Sequence, residues 1–208
     1  RLELDTAGLE AGPFATMSTR LEKTIFRVDV LDLTLRFGPE TAGRLETLVR
    51  ARPPGVEDSV ARAAVETRDA FARIVFLREV RLGPFVDGVR ENMRKAREAG
   101  ILAPEAYDAI AAALPRWFAF LEERRIRKGD QILYRIRDDS LRTVFLDGDG
   151  HVWLDQVDAG PERRLAVLGS YFARGSDFRD GLVRSLLETA LGPTEGGREG
   201  SGAGGPPR

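Results

Sequence analysis

The sequence contains no cysteine, which excludes disulfide bonds, thiolate catalysis and cysteine-ligated zinc. A single histidine, His151, rules out a multi-histidine metal centre, so no metal site is expected. Net charge is nearly absent too: 32 basic residues stand against 33 acidic ones, leaving a formal charge of −1. Without a positive field to draw in a polyanion, nucleic acid is not an expected partner. The basic cluster Arg124, Arg125, Arg127 and Lys128 is broken by Glu122, Glu123 and Asp130, and reads as a solvated face. Long apolar runs are also missing, since Ile74 to Leu77 falls far short of the roughly 20 residues of a membrane-spanning helix. Because the first residue is Arg1 rather than Met, removal of a signal peptide stays open, and with it both a cytoplasmic and a periplasmic location. No phosphate loop or dinucleotide fingerprint occurs, so no cofactor is expected. Gly169-Ser170-Tyr171 lacks the second glycine of a nucleophile elbow, which argues against a serine hydrolase.

What is present suffices for a folded domain. Hydrophobic residues make up 42% of 208 and charged residues 31%, enough to bury a core without staples. Residues 1–191 read as one domain with an N-terminal arm that runs through Gly12-Pro13, and residues 192–208 as a disordered Gly-rich tail with few side chains to bury.

Within the domain, Thr24 to Phe37 alternates as a strand or hairpin, with Leu31, Leu33, Leu35 and Phe37 on one side. Gly38-Pro39 ends it. The stretch Glu57 to Ala72, rich in Ala, Arg and Glu, predicts a helix, and Arg73 to Leu82 a second strand. Phe85, Val89, Met93 and Ala96 recur at helical spacing until Gly100, and a further helix starts at Pro104 with Pro115 kinking or dividing it. Asp130 to Arg137, Leu141 to Leu146 and His151 to Val157 predict a three-stranded meander. Ser176-Asp177 then caps a helix with an apolar stripe at Phe178, Leu182, Leu186 and Leu187. This order lacks strict βαβ alternation, so the expected class is α+β, with no internal repeat.

Asp147-Gly-Asp149-Gly-His151 begins like a calcium loop but has Val152 where the sharp turn needs glycine and Asp158 where a bidentate glutamate belongs, so a plain hairpin turn is the reading. His151 has no obvious nucleophile nearby and reads as an exposed or hydrogen-bonding side chain. Charges embedded in apolar faces say more. Arg27 and Asp29 share a strand face with Ile25, Leu31 and Leu33; Arg78 shares one with Phe76 and Val80; Asn92 lies on the helix side carrying Phe85, Val89 and Ala96. Such groups either pair with one another, reach solvent at a strand edge, or meet a ligand, because an unpaired buried ion costs several kcal/mol. Guanidinium, carboxylate and amide around an apolar wall suit an amphiphile, the arginine taking its anionic head and the wall its tail.

Phe26-Arg-Val-Asp-Val-Leu-Asp-Leu-Thr-Leu35, Val80-Arg-Leu-Gly-Pro-Phe-Val-Asp-Gly-Val-Arg-Glu-Asn92, Arg127-Lys-Gly-Asp130 followed by Ile132-Leu-Tyr-Arg-Ile136, and Phe178-Arg-Asp-Gly-Leu-Val-Arg-Ser-Leu-Leu187 occur in an order and spacing that resemble the chalcone isomerase-like family, in its bacterial type. The resemblance spans about Thr24 to Leu191. It implies an open-faced β-sandwich, a large mainly antiparallel sheet against helices, with a ligand cleft between them. In catalytic members a phenolate attacks an enone while an arginine, hydroxyls and an amide stabilise the developing anion. By resemblance Phe85 stands where the family has a cleft tyrosine, Gly88 where it has a lysine, and Asp29 where it has a strand threonine. Asn92 and Ser185 match the retained amide and hydroxyl, and Arg20, with Arg27 as rival, the catalytic arginine. A carboxylate at ~4 Å opposes anion stabilisation by on the order of 4 kcal/mol at an effective dielectric of 20. The resemblance therefore implies a non-catalytic binder of a small hydrophobic or amphipathic ligand, fatty acid- or flavonoid-like. Arg20, Arg27, Asp29, Arg78, Phe85, Asn92 and Ser185 are its candidate contacts. An intramolecular lyase or isomerase, and a scaffold working through Trp117, Phe118 or the tail, are the alternatives, and the sequence does not set an oligomeric state.

Overall fold

The computed structural model describes residue 6 and residues 8–23 and 28–189, with the side chains of residues 23–29 and 189 left aside. The expected tail, residues 192–208, lies outside the described residues. The described elements run β1 (Thr16–Lys23), β2 (Val28–Phe37), α1 (Pro39–Ala51), α2 (Val56–Val65), β3 (Asp69–Phe76), α3 (Leu82–Glu98), α4 (Pro104–Trp117), α5 (Leu121–Arg124), β4 (Gln131–Arg137), β5 (Ser140–Leu146), β6 (Val152–Ala159), α6 (Pro161–Phe172) and α7 (Arg179–Thr189). The strands form one sheet in the order β1-β2-β3-β4-β5-β6, every neighbouring pair antiparallel. The expected α+β open-faced sandwich is thus the architecture observed.

Alternation decides which face the helices cover. Leu31, Leu33, Leu35 and Phe37 of β2 are buried, and so are Ala70, Ala72, Ile74 and Phe76 of β3, which stand opposite them in the register. Each fully buried Leu or Phe side chain contributes about 1.5–3 kcal/mol. On the other face, side chains pair with one another. Arg20 donates to both oxygens of Asp32 directly across the β1–β2 pair, at 2.7 and 3.1 Å. Arg142 does the same to Asp155 at 2.8 and 2.7 Å, and Arg73 Nε donates to Gln131 Oε1 at 2.9 Å. No helix among the described residues is long and apolar enough to cross a membrane.

Several boundaries depart from the sequence expectation. The helix predicted over 57–72 stops at Val65, and Asp69 to Ala72 already belong to β3. Ala and Arg read as helix formers locally, but Ala70 and Ala72 are needed as small, fully buried partners of Phe37 and Leu35, and the sheet contacts override the propensity. β3 in turn ends at Phe76, and Leu82 begins α3 rather than ending a strand. The strand expected over 24–37 is β2 at Val28–Phe37; its partner β1 at Thr16–Lys23 was not expected as a strand, and residues 24–27 lie outside the described residues.

Two helices had no counterpart in the sequence reading, α1 and α6. Each begins with Pro as its first residue after a glycine, Gly38-Pro39 and Gly160-Pro161, so the dipeptide that ended β2 also opened the next helix. Gly38 is required by contact: a Cβ there would meet Asp69 Oδ2 at 2.5 Å. Pro115 divides its helix as expected, α4 ending at Trp117 and α5 following from Leu121.

Candidate functional site

The helices do not fill all the space over the inward face. A cavity of about 440 Å³ lies between the sheet and α3, α4 and α6, within the ~300–1,000 Å³ usual for small-molecule sites. Its walls are mostly apolar, with Ile74 and Phe76 from β3, Val89 and Met93 from α3, and Ile110 and Leu114 from α4. Phe85 completes an aromatic corner, edge-on to Phe118 at 5.1 Å and to Phe76 at 6.1 Å between ring centroids.

Arg78, Phe85 and Asn92 of the sequence candidates line this cavity. Arg78 stands just beyond β3 on the rim, exposed, and makes no hydrogen bond or ion pair with any described residue. Glu79 beside it is held by Arg125 at 2.6 Å, and that hydrogen bond holds its carboxyl below the usual range against the opposing effect of desolvation. Arg81 is the second rim cation. Phe85 presents only a hydrocarbon ring. Asn92 is buried and committed: Nδ2 donates to Gly88 O at 3.1 Å and to Asp177 Oδ2 at 3.4 Å, and Oδ1 accepts from Asp177 N at 3.1 Å. Its amide therefore clamps the segment before α7 onto α3.

The other candidates lie elsewhere. Arg20 is on the outward face with Asp32 and takes no part in the cavity lining. Ser185 sits on α7 against the edge strand, accepting from Ser18 N at 2.9 Å and donating to Leu182 O at 2.7 Å. Arg27 and the side chain of Asp29 lie outside the described residues.

Sequence reasoning passed over the polar groups at the far side. Tyr134 of β4, Thr143 of β5 and Gln156 of β6 are register partners in one inward-facing row, and all three line the cavity. Tyr171 of α6 faces it from the helix layer. The hydroxyls of Tyr134, Thr143 and Tyr171 have no hydrogen-bond partner among the described residues. Burial pushes both tyrosines well above their ordinary pKa of 10.0, so they stay protonated donors. Next to the row, Gln156 Nε2 donates to Asp158 at 2.9 Å, and Arg163 Nε lies 3.9 Å from the same carboxylate with its guanidinium 4.2 Å over the Trp117 ring. Arg163 Nη1 is buried without a hydrogen-bond partner among the described residues.

The signal for this row was available: Tyr134 between Ile132 and Ile136, Thr143 between Leu141 and Phe145, and Gln156 after Leu154 interrupt apolar alternation as Arg27 and Asp29 do in the first strand. Arg163 was hidden because α6 was not expected. His151, at the other end of β6, is exposed with its ring edge-on to Trp153, while Asp147 accepts from Asp149 N, His151 N and Trp153 Nε1 and closes the hairpin turn. Among the described residues no cluster of acidic or histidine side chains is arranged to hold a metal ion.

No protein-family model matches the chain, and no curated protein matches it by sequence. Among solved structures it is similar to a fatty-acid binding protein of Arabidopsis thaliana, with a TM-score of 0.62 over 88% of this chain and 89% of that one, at 10% identity. At that identity the likeness is one of fold.

Proposed function

We propose that this protein is a non-catalytic, chalcone isomerase-like binder of an amphipathic small molecule of the fatty-acid class, held in the cavity between sheet and helices. The observation that carries the reading is the combination of a mostly apolar cavity of about 440 Å³ with a rim cation, Arg78, that has no partner in the described protein. An acyl chain fills the space between Phe76, Val89 and Leu114, and its carboxylate meets the guanidinium where solvent still reaches both. The fatty-acid binding protein of the same fold supports the choice of ligand class.

Ring closure of the chalcone isomerase kind has little support at the positions that the resemblance assigns to it. It needs hydrogen-bond donors converging on a developing oxyanion. Phe85 brings none, the Asn92 amide is spent on Gly88 and Asp177, and Arg20 is engaged by Asp32 on the opposite face. The bacterial-type assignment and the roles of Arg27 and Asp29 stand as parts of this proposal, resting on the sequence resemblance alone.

Delipidated protein loaded with hexadecanoate and examined by native mass spectrometry is expected to show a one-to-one adduct. Ligand at about a hundred times its Kd is expected to stabilise the fold by about 2.7 kcal/mol in urea titrations. Absence of an adduct together with an unmoved unfolding midpoint would refute the reading.

A further inference from the structure

The cavity has two polar ends of different chemistry. At the rim, the guanidinium of Arg78 has no hydrogen-bond or ion-pair partner among the described residues. Across the cavity, Tyr134, Thr143 and Gln156 form a row on three adjacent strands, with about 4.8 Å between strands, and Tyr171 faces the cavity from α6. Tyr134 is the register partner of Ala72, six residues before Arg78, so the two ends are at most about 20 Å apart along an extended chain.

The inner row is neutral, and the hydroxyls of Tyr134 and Thr143, like that of Tyr171, have no partner among the described residues. Hydroxyl groups left without partners in a core are costly, and a fold that needed only a wall here had phenylalanine and valine available. The adjacent charges do not favour an anion. Asp158 repels one, and Arg163 is shared with Asp158 at 3.9 Å and stacked on Trp117. A carboxylate is better placed on Arg78, whose charge nothing in the described protein offsets. The inner row instead matches a group that both donates and accepts without charge: Tyr134 and Thr143 supply hydroxyls, and the Gln156 amide, with Nε2 turned to Asp158, still offers its carbonyl oxygen.

We infer that the ligand is an oxygenated acyl anion, a hydroxy- or oxo-substituted fatty acid whose carboxylate stays at Arg78 on the rim while its neutral oxygen function is hydrogen-bonded by Tyr134, Thr143 and Gln156. This rests on the reading of the cavity as an amphiphile site and deepens it by assigning the orientation and the second recognition element. The chain lies tail inward, with its neutral oxygen against the inner hydroxyls.

Calorimetric titration of the full chain with hexadecanoate and with the same acid hydroxylated at its far end tests the inference. The hydroxylated acid is expected to bind roughly fivefold to tenfold tighter, the yield of one net neutral hydrogen bond. Tyr134→Phe and Thr143→Val together are expected to erase that preference, so that the two acids bind with equal affinity. Arg78→Ala is expected to weaken both acids by the same factor. Equal affinity of the wild-type chain for the two acids overturns the inference and leaves the fatty-acid reading intact. A preference that survives in the Tyr134/Thr143 variant also overturns it, as does hexadecanoate affinity that follows Arg163→Ala rather than Arg78→Ala, which would place the head inside. Failure of both acids to bind removes this inference and the reading beneath it together.

Discussion

The two faces of the sheet treat polar side chains in opposite ways. On the open face arginines meet acids or amides within the protein, as in Arg20 with Asp32, Arg142 with Asp155 and Arg73 with Gln131. On the helix-covered face Tyr134, Thr143 and Tyr171 are left with hydroxyls that no described residue satisfies. A paired polar group can be explained by folding alone. An unpaired one that faces a cavity is explained better by a molecule the protein receives.

This contrast can be broken by measurement. The largest effect is expected where pairing is both complete and buried. Asp130, 1% exposed, accepts from Arg124 Nη2, Arg127 N and Gly148 N at 3.1, 2.8 and 3.2 Å. Asp130→Ala leaves Arg124 without its acid in a mostly buried setting and should cost about 3–5 kcal/mol in urea denaturation. A loss below 1 kcal/mol would show that the paired class does not carry the fold. On the open face, Arg142→Ala or Asp155→Ala should cost less than about 1 kcal/mol and leave hexadecanoate affinity untouched, because both partners are about one-third exposed. Tyr134→Phe should change stability by no more than about 0.5 kcal/mol in either direction, since the hydroxyl it removes has no partner among the described residues. A destabilisation of 2 kcal/mol or more there would mean that the hydroxyl works for the fold, and the contrast between faces would collapse.

Acid and base should separate the two classes as well. Asp58 of α2 binds Arg174 and Arg179, and these hydrogen bonds hold its carboxyl below the ordinary 3.8. A lowered folded-state pKa means that its contribution is present above about 3.8 and is lost as pH falls through the folded value. Asp58→Asn should therefore lower stability at neutral pH and flatten the acid limb of the stability curve, with little change below the folded value, as followed by circular dichroism. The inner hydroxyls titrate in neither range. Tyr134 and Tyr171 are raised above 10.0, so binding that depends on them should be flat from neutral pH to about 9.

The open-faced sandwich was legible because alternation survives wherever one face of a strand is buried: Leu31, Leu33, Leu35 and Phe37 announced β2, and the meander of β4 to β6 announced itself by its turns. Segments whose local chemistry points one way and whose neighbours require another were not legible. Arg68 to Ala72 looks helical until Phe37 and Leu35 are seen to need alanines beside them. The cavity was half legible. Arg78 and Asn92 stood out as polar groups in apolar company, yet only coordinates distinguish the unpartnered guanidinium from the amide already consumed by Asp177. Arg20 illustrates the converse, a residue carried forward by resemblance that sits paired on the other face. Tyr134, Thr143 and Gln156 carried the same kind of signal on separate strands, and it is their shared register that makes them one surface.

The Ser18–Ser185 contact joins residues 167 positions apart in the chain. Along that border Gly181 lies so close to β1 that a Cβ would meet Thr19 Oγ1 at 2.0 Å. During synthesis the edge strand β1 emerges before α7, the helix that packs along it. The nascent protein therefore carries a bare, pairing-competent border until α7 follows. Ribosome-bound chains truncated before Arg179 should thus be open to proteases and to holdase chaperones at Thr16–Lys23, and closure should arrive in one step when α7 is released.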